Sequence, residues 1–441
     1  MVLPSDYTDR MRKMLGDEYD DFIACYDKNE IKGLRFNLLK GSNMNFTETL
    51  KNVISGVNFD SVEWCNEGYC YGETACRPGS HPLHEAGAYY IQEPSAMLPV
   101  TLLEIEEGMR VLDLCASPGG KSTQIASYLN NTGFLIANEI NPARAKNLSE
   151  NIERMGVRNA YVTNEDSGRL AKIFPSYFDR ILVDAPCSGE GMFRKNPEAV
   201  NEWSVANVKL CADRQDEIMA NAYEMLSPGG RLVYSTCTFS EEEDEGTTDR
   251  FLNRYPDMKL LSREKLFPHK IKGEGHFAAV FEKEGDKKRA TNPCANGEEM
   301  SAKEVDIKLF RAFEKECLNV KLDGVFYKSK DNLYLLPNNA PKMSGLKVTR
   351  PGLHLGTVKK DRFVPAHAFA MALKKDEVKN AIDFASDSIE IKKYIAGETV
   401  NADGNKGWNL ILADGYSLGW GKLSSGIVKN HYPKGLRRNL G

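Results

Sequence analysis

A chain of 441 residues with 41% hydrophobic and 27% charged residues is too long for one ordinary core, so about three globular domains are expected. A net charge of −4 excludes a globally basic binder of polyanions but leaves room for a local basic face. No apolar run reaches the length of a membrane span and residues 1–16 lack an apolar signal core, so a cytoplasmic chain is expected, with its ten cysteines as thiols.

Residues 1–91 read as a separate α+β lobe. Met11, Met14, Leu15, Phe22 and Ile23 have helical spacing within 10–26, and 33–40 alternates like a strand. A helix is expected over Phe46–Ser55 and short strands at Val62–Trp64 and Tyr69–Tyr71. Arg35 and Lys40 fit phosphate contact or a solvated strand edge equally. Cys65, Cys70 and Cys76 are too loosely spaced for a zinc site, and no metal is expected.

From 92 to 284 the period changes to strands alternating with helices, the pattern of a parallel sheet covered on both faces. Strands are expected at 110–114, 133–139, 160–163, 178–184, 230–235 and 277–282, with helices at 95–103, 120–129, 142–155 and 208–226. Pro142 stands at a helix start and Gly156 just past its end. Residues 285–304 are polar and rich in breakers, a linker by composition, and Lys287, Lys288 and Arg289 within them read as solvated. Beyond it lie an intermediate domain, 305–375, and a small β-rich module, 376–441. Lys330-Asp331-Asn332 and Asp414-Gly415 turn two hairpins, and 365–373 reads as helical. The last fifteen residues carry Lys429, His431, Lys434, Arg437 and Arg438 and no acid, a composition that fits phosphate contact or a merely soluble terminus.

Two stretches carry chemistry. In Asp113-Leu114-Cys115-Ala116-Ser117-Pro118-Gly119-Gly120-Lys121, the Gly-Lys-Ser end invites a P-loop reading, but Cys115 stands where that motif needs glycine. What remains is a strand, a tight glycine loop and a helix N-terminus, which lets backbone approach a small ligand. Glu139 ends the next strand and suits two vicinal ribose hydroxyls, while Asp166 follows the third and could hold a purine amino group. Together these acids describe an adenosine-containing cofactor.

The second stretch, Asp184-Ala185-Pro186-Cys187-Ser188-Gly189-Glu190-Gly191-Met192, follows an apolar strand, and Cys237 ends another. A pyrimidine C5 is a weak nucleophile; a thiolate adding to C6 makes it an enamine that takes a methyl group. That route needs a cysteine nucleophile, an acid near N3 and a group that assists release, roles that Cys237, Asp184 and Cys187 can fill. The acid run 241–244 would oppose ionisation of a thiol if close; Ser240 and Glu243 have capping-box spacing, which assigns it instead to the next helix.

The pieces Gln92–Met97, Asp113–Lys121, Asp184–Gly189 and Ser235–Thr238 resemble the Nol/Nop/Sun family of RNA cytosine-C5 methyltransferases. The stretches Gly419–Lys422 and Asn430–Arg437 look like the PUA-like C-terminal module of bacterial small-subunit ribosomal enzymes of the RsmF type. The resemblance implies a Rossmann-like class I methyltransferase core, S-adenosylmethionine as cofactor, Cys237 as covalent nucleophile and Cys187 assisting release. Cofactor contacts are implied on Cys115, Ala116, Ser117, Pro118, Gly119, Gly120, Lys121, Glu139, Asp166 and Asp184. Ser117 departs from the alanine common in this loop. The implied substrate is cytosine of 16S rRNA near the decoding site, free or in the 30S subunit, met by a monomer. The same chemistry on tRNA, a non-catalytic RNA-binding assembly factor and a methyltransferase of non-RNA substrates are the alternatives.

Overall fold

The computed structural model describes residues 1–41, 58–72, 77–286, 302–338 and 340–439. The helix expected over 46–55, the thiol of Cys76 and the basic triplet 287–289 lie outside these residues.

The first sheet has the order β2-β3-β1-β4, from β1 (Lys32–Phe36), β2 (Phe59–Val62), β3 (Cys65–Tyr71) and β4 (Tyr89–Ile91). Ahead of it in the chain the single expected helix is broken into Ser5–Leu15 and Tyr19–Ala24, because Gly16 takes φ 54°.

The central sheet has eight strands in the order β10-β11-β9-β8-β5-β6-β7-β14. They are β5 (Arg110–Asp113), β6 (Phe134–Asn138), β7 (Ala160–Thr163), β8 (Phe178–Asp184), β9 (Leu226–Thr236), β10 (Met258–Leu266) and β11 (His276–Lys283), joined by a later strand. Strands β7, β6, β5, β8 and β9 run parallel, β11 pairs antiparallel with β9, and β10 pairs antiparallel with β11. Strands β5, β6 and β7 are buried along their whole length, which is why they read as apolar runs without alternation. Between β6 and β7 runs the helix Pro142–Arg154, which buries Ala145, Leu148 and Ile152. Asn141 caps it by accepting from the amides of Ala143 and Arg144, Pro142 opens it, and Gly156 follows its end at φ 74°. The helix expected over 95–103 shrinks to a 3₁₀ turn and Leu98–Thr101. The sequence reading missed β10.

A third sheet follows: β12 (Val325–Ser329) and β13 (Asn332–Leu336) form the expected hairpin, and β15 (Leu353–Lys359) and β16 (Arg362–Pro365) extend it. Between them β14 (Val348–Pro351) leaves this unit and pairs antiparallel with β7, covering an edge of the central sheet. The last sheet has the order β17-β19-β20-β21-β18, from β17 (Ala381–Phe384), β18 (Val400–Asn401), β19 (Gly407–Ala413), β20 (Tyr416–Ser424) and β21 (Ile427–Asn430).

The N-terminal lobe and the last sheet share one apolar core, in which Leu34, Phe36, Leu83 and Tyr89 pack with Ile391, Tyr394, Leu418 and Val428. Two basic side chains read as candidates for phosphate are spent in these seams. Arg35 is fully buried and donates to Gln92 Oε1 (3.0 Å), Gly120 O (3.0 Å) and Thr123 Oγ1 (2.9 Å), fixing the lobe to the glycine-loop helix. Lys40 donates to Met371 O and to Ser417 Oγ (2.7 Å), and burial pushes its ammonium down to about 7. Both carry buried backbone or hydroxyl acceptors, so the phosphate reading of Arg35 and Lys40 is corrected.

Candidate active site

A cleft of about 760 Å³ opens at the C-terminal edge of β5, β6, β7, β8 and β9, on both sides of the point where strand order reverses around β5. Of the residues proposed from sequence, Cys115, Ser117, Glu139, Asp166, Asp184, Cys187 and Cys237 line it. Ala116, Pro118, Gly119, Gly120 and Lys121 are not among its lining residues, although Lys121 reaches Asp184. Asn138, Ile140, Arg144, Arg214 and Glu217 also line it, and the sequence reading did not single them out.

The glycine loop is shaped by close packing. Gly119 has φ 114° at the start of the helix Gly120–Leu129, and a Cβ there would meet Leu148 Cδ1 at 3.1 Å. Ala116 N donates to Asn138 O (2.8 Å), and Pro118 O accepts from Asn151 (2.9 Å). Asn138 holds the floor, donating to Leu114 O (3.2 Å) and Glu165 O (2.9 Å). Under the loop Asp113 accepts from Ser122 Oγ (2.6 Å), and burial pushes its carboxyl up to about 7.

Glu139 is 4% exposed. Its Oε1 accepts from Asn141 N (2.8 Å), and its Oε2 lies 3.4 Å from Arg144. Asp166 caps the helix Ser167–Ile173, accepting from Arg169 N at 2.9 Å, so one acid serves as cap and as cleft wall.

At the far end of the cleft two strand tips meet. Cys187 Sγ and Cys237 Sγ are 3.3 Å apart. The hydrogen bond with Cys237, with burial second, pushes the Cys187 thiol well up. Next to them Asp184 accepts from Lys121 Nζ (2.8 Å) and Ser235 Oγ (2.8 Å). Burial is the largest influence and opposes its charge, yet its neighbours together, the Lys121 ammonium first and His276 after it, hold the carboxyl well below the usual range. His276, at 3.6 Å, is too distant to hydrogen-bond it.

The turn that carries Cys187 hangs on residues far away in the chain. Ser188 N donates to Glu243 Oε2 (3.0 Å), and Ser188 Oγ meets Thr238 Oγ1 (2.8 Å). Gln215 Nε2 donates to Pro186 O (3.0 Å) and to the same Glu243 oxygen (2.8 Å). Glu190 accepts from Trp203 Nε1, Phe239 N and Ser240 Oγ. These contacts correct the capping-box reading. Neither Ser240 nor Glu243 caps the helix Glu245–Arg254, whose cap position, Asp244, makes no side-chain capping bond. An acid run carries no mark in the sequence of which member turns inward, so Glu243 and Gln215 were not legible as partners of Cys187.

Comparison with known proteins places this architecture. The family model described as 16S rRNA methyltransferase RsmB/F matches residues 100–288. Models described as the N-terminal domain, first C-terminal domain and PUA domain of RsmF match 3–94, 312–373 and 381–438. The chain is 31% identical to the ribosomal RNA small subunit methyltransferase F of Vibrio vulnificus, over 100% of this chain and 98% of that protein. It is 32% identical to its namesake in Aeromonas salmonicida, over 95% and 94%. A crystal structure of a methyltransferase homolog from Pyrococcus horikoshii superposes with TM-score 0.57 at 28% identity, covering 62% of this chain and 93% of that one.

The cofactor is S-adenosylmethionine, and the residues present fit it. Glu139 keeps acceptor capacity on both oxygens for vicinal hydroxyls, the acids of three successive strand ends face one cleft, and Gly119 leaves no room for a side chain behind the loop. The chain belongs to the RsmF branch of the 16S rRNA methyltransferase RsmB/F family, a methyltransferase with a class I core and a C-terminal PUA domain.

Proposed function

We propose that the chain methylates C5 of cytosine in 16S rRNA, in the decoding region, through a covalent bond between Cys237 and C6. The observation that carries this reading is the pair of sulfurs 3.3 Å apart, at the tips of two parallel strands, beside a charged Asp184 and at the end of the cofactor cleft. When bound, S-adenosylmethionine supplies an electrophilic methyl group.

The chain's own residues do the rest. The Cys237 thiolate adds to C6, and the electron pair displaced from C5=C6 makes C5 nucleophilic. N3 takes a proton from solvent as the thiolate adds, which offsets the ring charge developing there; the Asp184 carboxylate accepts that N3–H as a hydrogen bond, and the proton returns to solvent when C5=C6 re-forms. After methylation a base takes the C5 proton, C5=C6 re-forms, and the C6–S bond breaks with its pair on sulfur. Cys187, held as a thiol against that sulfur, hydrogen-bonds it as it leaves. In this reading residues 115–121, Glu139, Asp166 and Asp184 hold the cofactor.

A base must leave its stack to reach this site, which costs a few kcal/mol. We assign that work to phosphate contacts of the N-terminal lobe, 1–91, and the C-terminal module, 376–441, where Lys429, Lys434 and Arg437 are exposed. Arg438 is withdrawn from this set by its ion pair with Glu85. The enzyme is read as a cytoplasmic monomer acting on 16S rRNA or the 30S subunit. Among the described residues no helix is long and apolar enough to cross a membrane.

Labelled S-adenosylmethionine offered with naked 16S rRNA, 30S subunits or bulk tRNA, followed by digestion and nucleoside identification, tests the reading. 5-Methylcytosine in 16S rRNA or 30S subunits is expected, and mapping then gives the position. 5-Methylcytosine in tRNA alone overturns the substrate, and a different methylated nucleoside overturns the chemistry.

A further inference from the structure

The turn Pro186-Cys187-Ser188 lies in neither helix nor strand, yet it holds one sulfur against another. Its backbone is gripped on both sides of Cys187 by one bracket. Gln215 Nε2 holds Pro186 O, Glu243 Oε2 holds Ser188 N, and the two side chains are joined by the Gln215–Glu243 hydrogen bond of 2.8 Å. Both are fully buried. Gln215 comes from the middle of the helix Val205–Met225, and its Oε1 accepts from Thr247 Oγ1 at 3.4 Å, which sets which way its amide points. Glu243 Oε1 has no hydrogen-bond partner among the described residues, so a single carboxylate oxygen gathers both donors. A buried acid with one oxygen unsatisfied is a costly way to hold a loop. Its return is the placement of the Cys187 thiol at a fixed distance from the Cys237 sulfur.

We infer that Glu243 and Gln215 are positioning residues for Cys187, and that they set the rate at which Cys237 is released from the methylated base. The inference rests on the reading that Cys237 adds to C6 and Cys187 assists elimination. Addition at C6 and methylation at C5 leave the bracket untouched. Elimination needs Cys187 in place, because its S–H supports the departing sulfur as the C6–S pair returns to Cys237 and the C5 proton leaves to a base. Loosening the bracket therefore slows the last step alone.

The test uses the full chain, S-adenosylmethionine and a 16S rRNA transcript, with covalent protein–RNA adduct counted on denaturing gels beside steady-state turnover. Glu243→Ala and Gln215→Ala are expected to accumulate adduct as Cys187→Ala does, with turnover reduced on the order of 10²-fold, the cost of an ångström of misplacement in a catalytic group. Glu243→Gln, whose carbonyl oxygen can accept from both donors, is expected to restore release. Should Glu243→Ala fail to fold, Glu243→Asp, which withdraws the same oxygen by one methylene, carries the same expectation. Lost turnover without adduct, while Cys187→Ala traps it, makes the bracket merely structural and overturns the inference. Absence of adduct in Cys187→Ala overturns instead the reading on which it rests.

Discussion

The two loops that line the cleft are both tied by side chains from elsewhere in the chain, but they differ in how closely they are packed. The glycine loop after β5 is held by Asn138 O, by the side chains of Arg144 and Asn151, and by packing of Gly119 against the helix Pro142–Arg154. The Pro–Cys loop after β8 is held by Glu243, Gln215 and Thr238, all of which lie tens of residues or more along the chain. Both have polar partners at a distance, but the first also needs a small residue at Gly119, whereas an added Cβ at Gly189 of the second meets nothing within 4 Å. The difference separates a loop that admits a cofactor from one that must keep a reactive atom still.

The largest expected effect falls on the Pro–Cys side. Cys237→Ala removes the proposed nucleophile and should cut methylation on the order of 10⁴-fold or more, as loss of a nucleophile does in other enzymes. S-Adenosylmethionine binding, measured by calorimetry, should persist because the glycine loop is untouched. Normal turnover in this variant would mean that the chemistry does not run through Cys237.

The same asymmetry explains what was legible in the sequence. Strands β5 to β9 announced themselves as buried runs, and the helix Gly120–Leu129 was read to its observed bounds, because a parallel sheet imposes apolar runs and Gly119 and Gly120 mark the turn. Both cysteines were read at strand ends, and the structure puts their sulfurs together. β10 was missed because it is an edge strand whose side chains, Lys259 to Lys265, are largely polar and half-exposed. Arg35 and Lys40 were misread because charge in a sequence says nothing of burial; each ends in a seam between lobes. Glu243 was misread because local capping-box spacing competes with a tertiary contact to Ser188, and tertiary contact won.

A second, smaller effect tests both loops at once, since each rests on a buried acid. Asp113 lies beneath the glycine loop and Glu243 behind the Pro–Cys loop, and burial pushes each carboxyl up to about 7. In the unfolded chain these groups titrate near ~3.9 and ~4.3. Between those values and about 7 the folded state binds the extra proton, so stability falls as pH rises through that window and the full penalty is present above it. Each acid contributes at most ~4 kcal/mol to that fall. Glu243→Gln and Asp113→Asn should each flatten the decline between about pH 4.5 and 7 in urea titrations. An unchanged slope in both variants would show that neither acid holds its proton in the folded protein.

The smallest effect discriminates the loops by a single methyl group. Gly119 in the glycine loop and Gly189 in the Pro–Cys loop both have positive φ, 114° and 74°. An added Cβ at Gly189 meets nothing within 4 Å, whereas at Gly119 it meets Leu148 Cδ1 at 3.1 Å and Asn151 Cβ at 3.4 Å. Gly189→Ala therefore carries only backbone strain, roughly 1 kcal/mol. Gly119→Ala carries strain together with displacement of the helix packed behind the loop, ~1–3 kcal/mol. Thermal unfolding should rank Gly119→Ala below Gly189→Ala. Cofactor affinity should fall for Gly119→Ala alone, since only that loop is shaped against the cofactor cleft by packing. Equal losses of affinity in the two variants would mean that the Pro–Cys loop also shapes the cofactor site, and the division of labour between the loops would fail.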